Sequence, residues 1–170
     1  MKLPFNVYFA IAGGLLNCAA WYVAFLTMNI YSYEVDMVRF ICSIALLLIG
    51  AFLSVYVIRR QLGGYINFRE AAKAGILYTI IFSLIVALFS TLYYKVLAPD
   101  VIDFFKSDAR KAMMEQKYPE SDIVKNMEVI DSYFGFFRML MSNIIFGTLF
   151  SLLAAAVLRK KDPAPPISAN

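Results

Sequence analysis

Histidine is absent from this 170-residue chain. Its absence removes the usual axial ligand of a b-type haem, the commonest zinc ligand and the commonest general base. Cysteine is nearly as scarce: Cys18 and Cys42 are the only two, and both fall inside long apolar runs. A thiol there behaves as a small buried hydrophobe, and no disulfide is expected. Leu15-Leu16-Asn17-Cys18 has the outline of a lipoprotein cleavage site, but Asn fits poorly before the Cys and the apolar run continues to Met28. The first run is therefore expected to stay as an uncleaved span. Carboxylates are too few and too ordinary in their spacing to suggest catalysis. Asp100 with Asp103, and Glu128 with Asp131, lie one helical turn apart, as charges on any solvated helix face do. Without a histidine, a cysteine partner or a glycine-rich anion cradle they carry no mechanism, so no catalytic residue, metal or cofactor is expected.

Charge is missing altogether from four long stretches: Phe5 to Met28, Phe40 to Ile58, Ala74 to Tyr94 and Met139 to Leu158. A hydrocarbon core takes roughly 20 mostly apolar residues per helical crossing. The expected fold class is therefore all-α, a polytopic membrane protein. It has four transmembrane helices (spans about 5–28, 40–58, 74–94 and 136–158) and an amphipathic extramembrane helix between spans 3 and 4. With 61% hydrophobic residues and a mean hydropathy of +0.68, the chain has no room for a second, soluble domain. The formal charge of +4 does not point to nucleic acid, because the basic residues gather at span ends, where they meet lipid headgroups.

The one sizeable extramembrane segment spans about 98–134. Pro99-Asp100 reads as a helix start, Val101, Phe105, Ala109 and Ala112 draw an apolar face, and Tyr118-Pro119 ends it. After Ser121, residues Ile123, Met127, Ile130, Phe134, Phe137, Met141 and Ile144 follow at intervals of four and three. That spacing predicts one continuous helix that begins outside the bilayer and runs into it as the fourth span. Asp162 to Asn170, with three prolines, reads as a disordered tail.

The basic residues divide evenly between the two sides of such a bundle. Lys2, Arg59, Arg60, Arg69, Lys73, Arg159, Lys160 and Lys161 sit in short, dense segments, whereas those of the other side are diluted by acids in the long segment. The short segments dominate the positive-inside signal, which predicts both termini in the cytoplasm.

Small and polar residues inside the spans supply the candidate contacts. Gly75, Thr79, Ser83 and Ala87 recur at every fourth position of the third span, and Asn143, Gly147 and Ser151 repeat the device in the fourth. Such ridges let helix backbones approach closely, within the monomer or against a homo-oligomer mate or partner helix. Asn17 and Asn143 are polar residues within spans, expected to face the bundle and find a partner. Arg138, one residue before the uncharged run of the fourth span, is expected to pair with Glu34, or less favourably Asp36, both placed in the loop after the first span.

The segment Gly63-Gly64-Tyr65-Ile66-Asn67-Phe68-Arg69-Glu70-Ala71-Ala72-Lys73-Ala74-Gly75, followed by a span ending Tyr93-Tyr94, resembles the domain of unknown function family 4199. Asn67 stands where that family more often has serine. The resemblance implies a small bacterial inner-membrane protein of four spans. It further implies an accessory role beside membrane-associated glycosyltransferases that use polyprenyl-phosphate sugars. The leading expectation is a non-enzymatic scaffold or accessory subunit that recruits a membrane-enzyme partner through a loop bearing Arg59, Arg60, Arg69 and Lys73. The alternative is a small transporter or lipid-handling protein with a polar path past Asn17 and Asn143, in contact with membrane lipids.

Overall fold

A computed structural model describes residues 5–28 and 30–160. Among these residues there are six α-helices: α1 (Phe5–Thr27), α2 (Tyr33–Gln61), α3 (Phe68–Leu92), α4 (Asp100–Glu115), α5 (Glu120–Tyr133) and α6 (Phe136–Leu158). Four of them, α1, α2, α3 with its extension to Leu97, and α6, are long and apolar enough to cross a membrane. The all-α, four-span architecture expected from the sequence is the one observed, that of a multi-pass membrane protein. The tail from Asp162, and Lys2 and Lys161 of the orientation argument, lie outside the described residues.

Local chemistry explains where the helices start and stop. The Ser32 hydroxyl accepts the Glu34 backbone N–H at 3.2 Å, and Glu34 and Asp36 in the first turn of α2 complement its dipole, as Arg59 and Arg60 do in the last. The chain then reverses through Gly63 and Gly64 at φ +77° and +93°, values that a side chain would strain. α3 opens with a capping box, Asn67 and Glu70 each bonding the other's backbone N–H. At its far end α3 widens into a π-helical turn, Tyr93–Leu97, closed by Ala98 N–H donating to the Tyr93 carbonyl at 2.8 Å.

Among the described residues α3 packs against α1, α2 and α6, and α2 against α1, α3 and α6, while the backbones of α1 and α6 do not approach each other. The four spans thus form a rhombus with α2 and α3 on its short diagonal. Its interior is unusually polar for its position: Asn17, Ser43, Ser54, Thr79, Ser83 and Ser151 are buried, while Leu15, Leu88, Phe137, Leu149 and Val157 face outward. That inside-out distribution suits a bundle whose solvent is lipid. At one end, here called the loop end, Ile66 and Lys160 exchange backbone hydrogen bonds of 3.0 and 2.9 Å, tying the α2–α3 turn to the end of α6. The opposite, cap end carries α4 and α5 over an aromatic cluster of Trp21, Tyr93, Tyr94, Phe105 and Phe134.

Two expectations are corrected here. The second transmembrane helix does not begin at Phe40 but about two turns earlier, at Tyr33, because Ser32 and the acids after it form a helix start. Nor is the stripe from Ile123 to Ile144 one helix, for the chain breaks at Phe134-Gly135 between α5 and α6. Phe134 turns inward, its ring 4.6 Å from Tyr94 and 5.8 Å from Phe105, and extended Gly135 restarts the chain as the N-cap of α6. Burying that ring in the cap cluster outweighs the few backbone bonds a straight helix would have kept.

Candidate functional site

The small-residue ridges of α3 and α6 face each other. A Cβ added to Gly75 would lie 2.7 Å from Ser151 Cβ, one added to Gly147 would run into Thr79, and the Thr79 and Ser151 hydroxyls meet at 3.1 Å. Ser83 and Ala87 continue the ridge, both fully buried. These surfaces are spent inside the bundle and are not offered to a second copy or a partner helix.

Above this contact, towards the cap end, α2 and α6 border a narrow open cleft of about 80 Å³. Asp36, Phe40 and Ser43 line it from α2, spaced to fall on one helix face, and Arg138, Met139, Ser142 and Asn143 line it from α6. Val86, Trp21, Tyr94 and Tyr133 complete the walls.

Behind the α2 wall runs a buried polar network. The Trp21 indole N–H donates to Ser43 Oγ at 3.1 Å, and the Ser43 hydroxyl stands 2.9 Å from both Asn17 Oδ1 and the Arg39 carbonyl oxygen. Arg39 itself is only 3% exposed. Its guanidinium lies over the rings of Trp21 at 5.5 Å and Tyr93 at 5.0 Å, and Nη2 stands 3.3 Å from Asp36 Oδ1. The same carboxylate oxygen accepts the Tyr94 hydroxyl at 3.1 Å. Flanking rings and a counter-ion together make a buried guanidinium tolerable here.

Asn143 is the other notable group. It is 8% exposed, lines the cleft, and has no hydrogen-bond partner among the described residues. Asn143 thus lines the cleft without the partner expected of it, while Asn17 stays behind the wall, bonded to the Ser43 that lines it.

Arg138 does not pair with Glu34. Among the described residues it makes no ion pair: its guanidinium rests 4.7 Å over the Tyr133 ring and donates a long 3.4 Å bond to Ser132 Oγ. Glu34 stays exposed at the start of α2, and Asp36 is taken by Arg39, which reaches it from one helical turn away on the same helix. At the loop end, Arg59 is consumed by a 2.9 Å bond to the Gly64 carbonyl and Arg60 lies over Tyr56, leaving Arg69 and Lys73 exposed. Cys18 and Cys42 are both free thiols. No cluster of three or more His, Cys, Asp or Glu converges among the described residues.

The Arg39 centre is hidden in the sequence because Arg39 falls just before the second uncharged run. The signal was present in Ser32-Tyr33-Glu34, a cap followed by an acid, which puts Arg39 two turns inside a helix, on the face that meets α1 and its lone tryptophan.

No curated protein and no solved structure matches the chain. Residues 8–160 match a family model described as Protein of unknown function (DUF4199). With nearly its whole length covered, the chain belongs to that family.

Proposed function

We propose that the protein is a non-enzymatic membrane-embedded binding module whose cleft between α2 and α6 receives the head of a bilayer amphiphile. The lipid-handling alternative thus moves ahead of the accessory-subunit role. The observation that carries this reading is Asn143, an amide more than nine-tenths buried, unpartnered within the chain and lining a cleft. Its amide atoms open onto the cleft, so a ligand seated there can bond them in place of water. Phe40, Val86 and Met139 offer an apolar wall beside it, and Ser142 a second polar contact. An apolar cleft with a few convergent polar groups is the usual form of a small-ligand site.

Purification of the intact chain from native membranes, with quantification of bound lipid and protein, tests this. Wild type is expected to retain lipid stoichiometrically, and Asn143→Leu, folded by its melting curve, to retain roughly tenfold less. Equal retention by both proteins overturns the reading. A stoichiometric enzyme partner with no lipid would return the accessory role, with exposed Arg69 and Lys73 as its contact.

We further propose an inner-membrane location in a bacterium with the loop end in the cytoplasm, on the strength of the basic residues gathered there. In a chain lacking Cys18 and Cys42, a cysteine at exposed Leu62 is expected to escape an impermeant thiol reagent in intact cells. One at exposed Ser107 in α4 is expected to react. The reverse pattern would invert the orientation.

A further inference from the structure

We propose that the cleft selects a lipid with a net negative headgroup, an anionic phospholipid held at its phosphate by Arg138 and the first turn of α6. This inference rests on the binding role proposed above and names its ligand class.

The charges around the cleft reduce to one. Asp36 reaches it with a carboxylate already balanced by Arg39 at 3.3 Å and bonded by Tyr94 at 3.1 Å, so that pair presents no net charge. Arg138 has no such partner. A guanidinium carries five N–H donors in a planar fork, and a single 3.4 Å bond to Ser132 leaves most of them unspent. Phosphate oxygens match that fork in pairs.

The backbone adds to it. Arg138 lies in the first turn of α6, a helix of 23 residues whose N-cap Gly135 supplies no side-chain hydrogen bond. The leading N–H groups of such a helix, at the positive end of its dipole, form an anion site that an arginine beside them strengthens. Deeper in the same cleft, unpartnered Asn143 and Ser142 offer an amide and a hydroxyl to the ester oxygens below a phosphate.

The flanks of the cleft decide between a lipid and a free anion. Phe40, Phe137 and Met141 stand 48, 76 and 48% exposed on the two helices that form it. These outward apolar side chains fit acyl chains, so the headgroup enters sideways while its tails remain in the bilayer. A soluble phosphate would find no use for that surface.

The test uses the full chain in non-ionic detergent, offered equal phosphatidylglycerol and phosphatidylcholine, with bound lipid measured by native mass spectrometry. Wild type is expected to hold the anionic lipid roughly tenfold in excess, the scale of one charge-assisted contact. Arg138→Gln should bring the ratio near one while lipid remains bound, Arg138→Lys should keep part of the preference, and Lys95→Gln, another exposed cation at the cap end, should leave it unchanged. An unselective wild type, or an Arg138→Gln variant as selective as wild type, overturns the headgroup assignment but leaves the binding role standing. A wild type that holds neither lipid defeats the binding role itself. Displacement of bound lipid by millimolar inorganic phosphate would show that the site takes the free anion instead.

Discussion

Gly147→Leu is expected to cost the bundle about 3 kcal/mol or more, at the upper end of the usual range for overpacking. Even the first carbon of the new side chain would run into the methyl and hydroxyl of Thr79 and come within 3.1 Å of Leu47 Cδ1, and three further carbons must then find room. Thr79 cannot swing aside freely. It is fully buried, branched at Cβ, and engaged with Ser151, whose hydroxyl also donates to the Gly147 carbonyl at 2.6 Å. Relief therefore requires α3 and α6 to move apart along their whole contact, which gives up the close packing that replaces the hydrophobic drive inside a membrane. Gly75→Leu should behave alike, since its Cβ would meet both the side chain and the backbone of Ser151. Ser83→Ala is the contrast: its hydroxyl is buried without a partner, so its loss should be neutral or mildly stabilising. Thermal melting of the three variants in one detergent decides the matter. Wild-type stability in both leucine variants would mean that α3 and α6 do not share this interface.

Why the ridges could be read from the sequence while the cleft could not follows from the physics of each. A small residue every fourth position lies on one helix face whatever the helix packs against, so Gly75, Thr79 and Ser83 identify a contact surface without knowledge of the partner. The uncharged runs identify spans on the same local grounds. A cleft depends instead on how several helices meet. The cleft is lined by residues from four spans, and the chain break that turns Phe134 inward beside it is a tertiary gain invisible in a periodic stripe that runs unbroken from Ile123 to Ile144. Arg39 was obscured differently. Taking charge as the end of a span places it outside the membrane, and only the Ser32 cap and the pairing with Asp36 show that the helix carries it inward. Arg138 was assigned the wrong partner for a related reason. As loop acids both Glu34 and, less favourably, Asp36 are in reach, but on a helix they project about 200° apart, and the one facing inward already has a nearer cation in its own helix.

That pairing yields the second large effect expected. Arg39→Met should destabilise the protein by about 2 to 3 kcal/mol, less than the cost of breaking a fully buried pair, because Arg39 is buried but the Asp36 side chain is 29% exposed. Methionine fills the space between Trp21 and Tyr93 nearly as well, so lost packing is not the main term. The penalty comes from Asp36, left as a carboxylate with only the Tyr94 hydroxyl for company, and from the two cation–π contacts at 5.5 and 5.0 Å. If that account is right, neutralising the carboxylate as well should recover most of the loss, because Asp36→Asn in the Arg39→Met background removes the stranded charge and keeps an oxygen for Tyr94. The double-mutant cycle on melting stability should then give a coupling of at least about 1 kcal/mol. Additive effects would mean that Arg39 is held by its rings alone. The cycle also reaches the headgroup assignment, since Asp36 lines the cleft and Arg39 is what balances it. In Arg39→Met the carboxylate stands uncompensated beside Arg138, the cleft's net charge falls from positive to zero, and the preference for an anionic lipid should fall with it; Asp36→Asn added to Arg39→Met should bring that preference back.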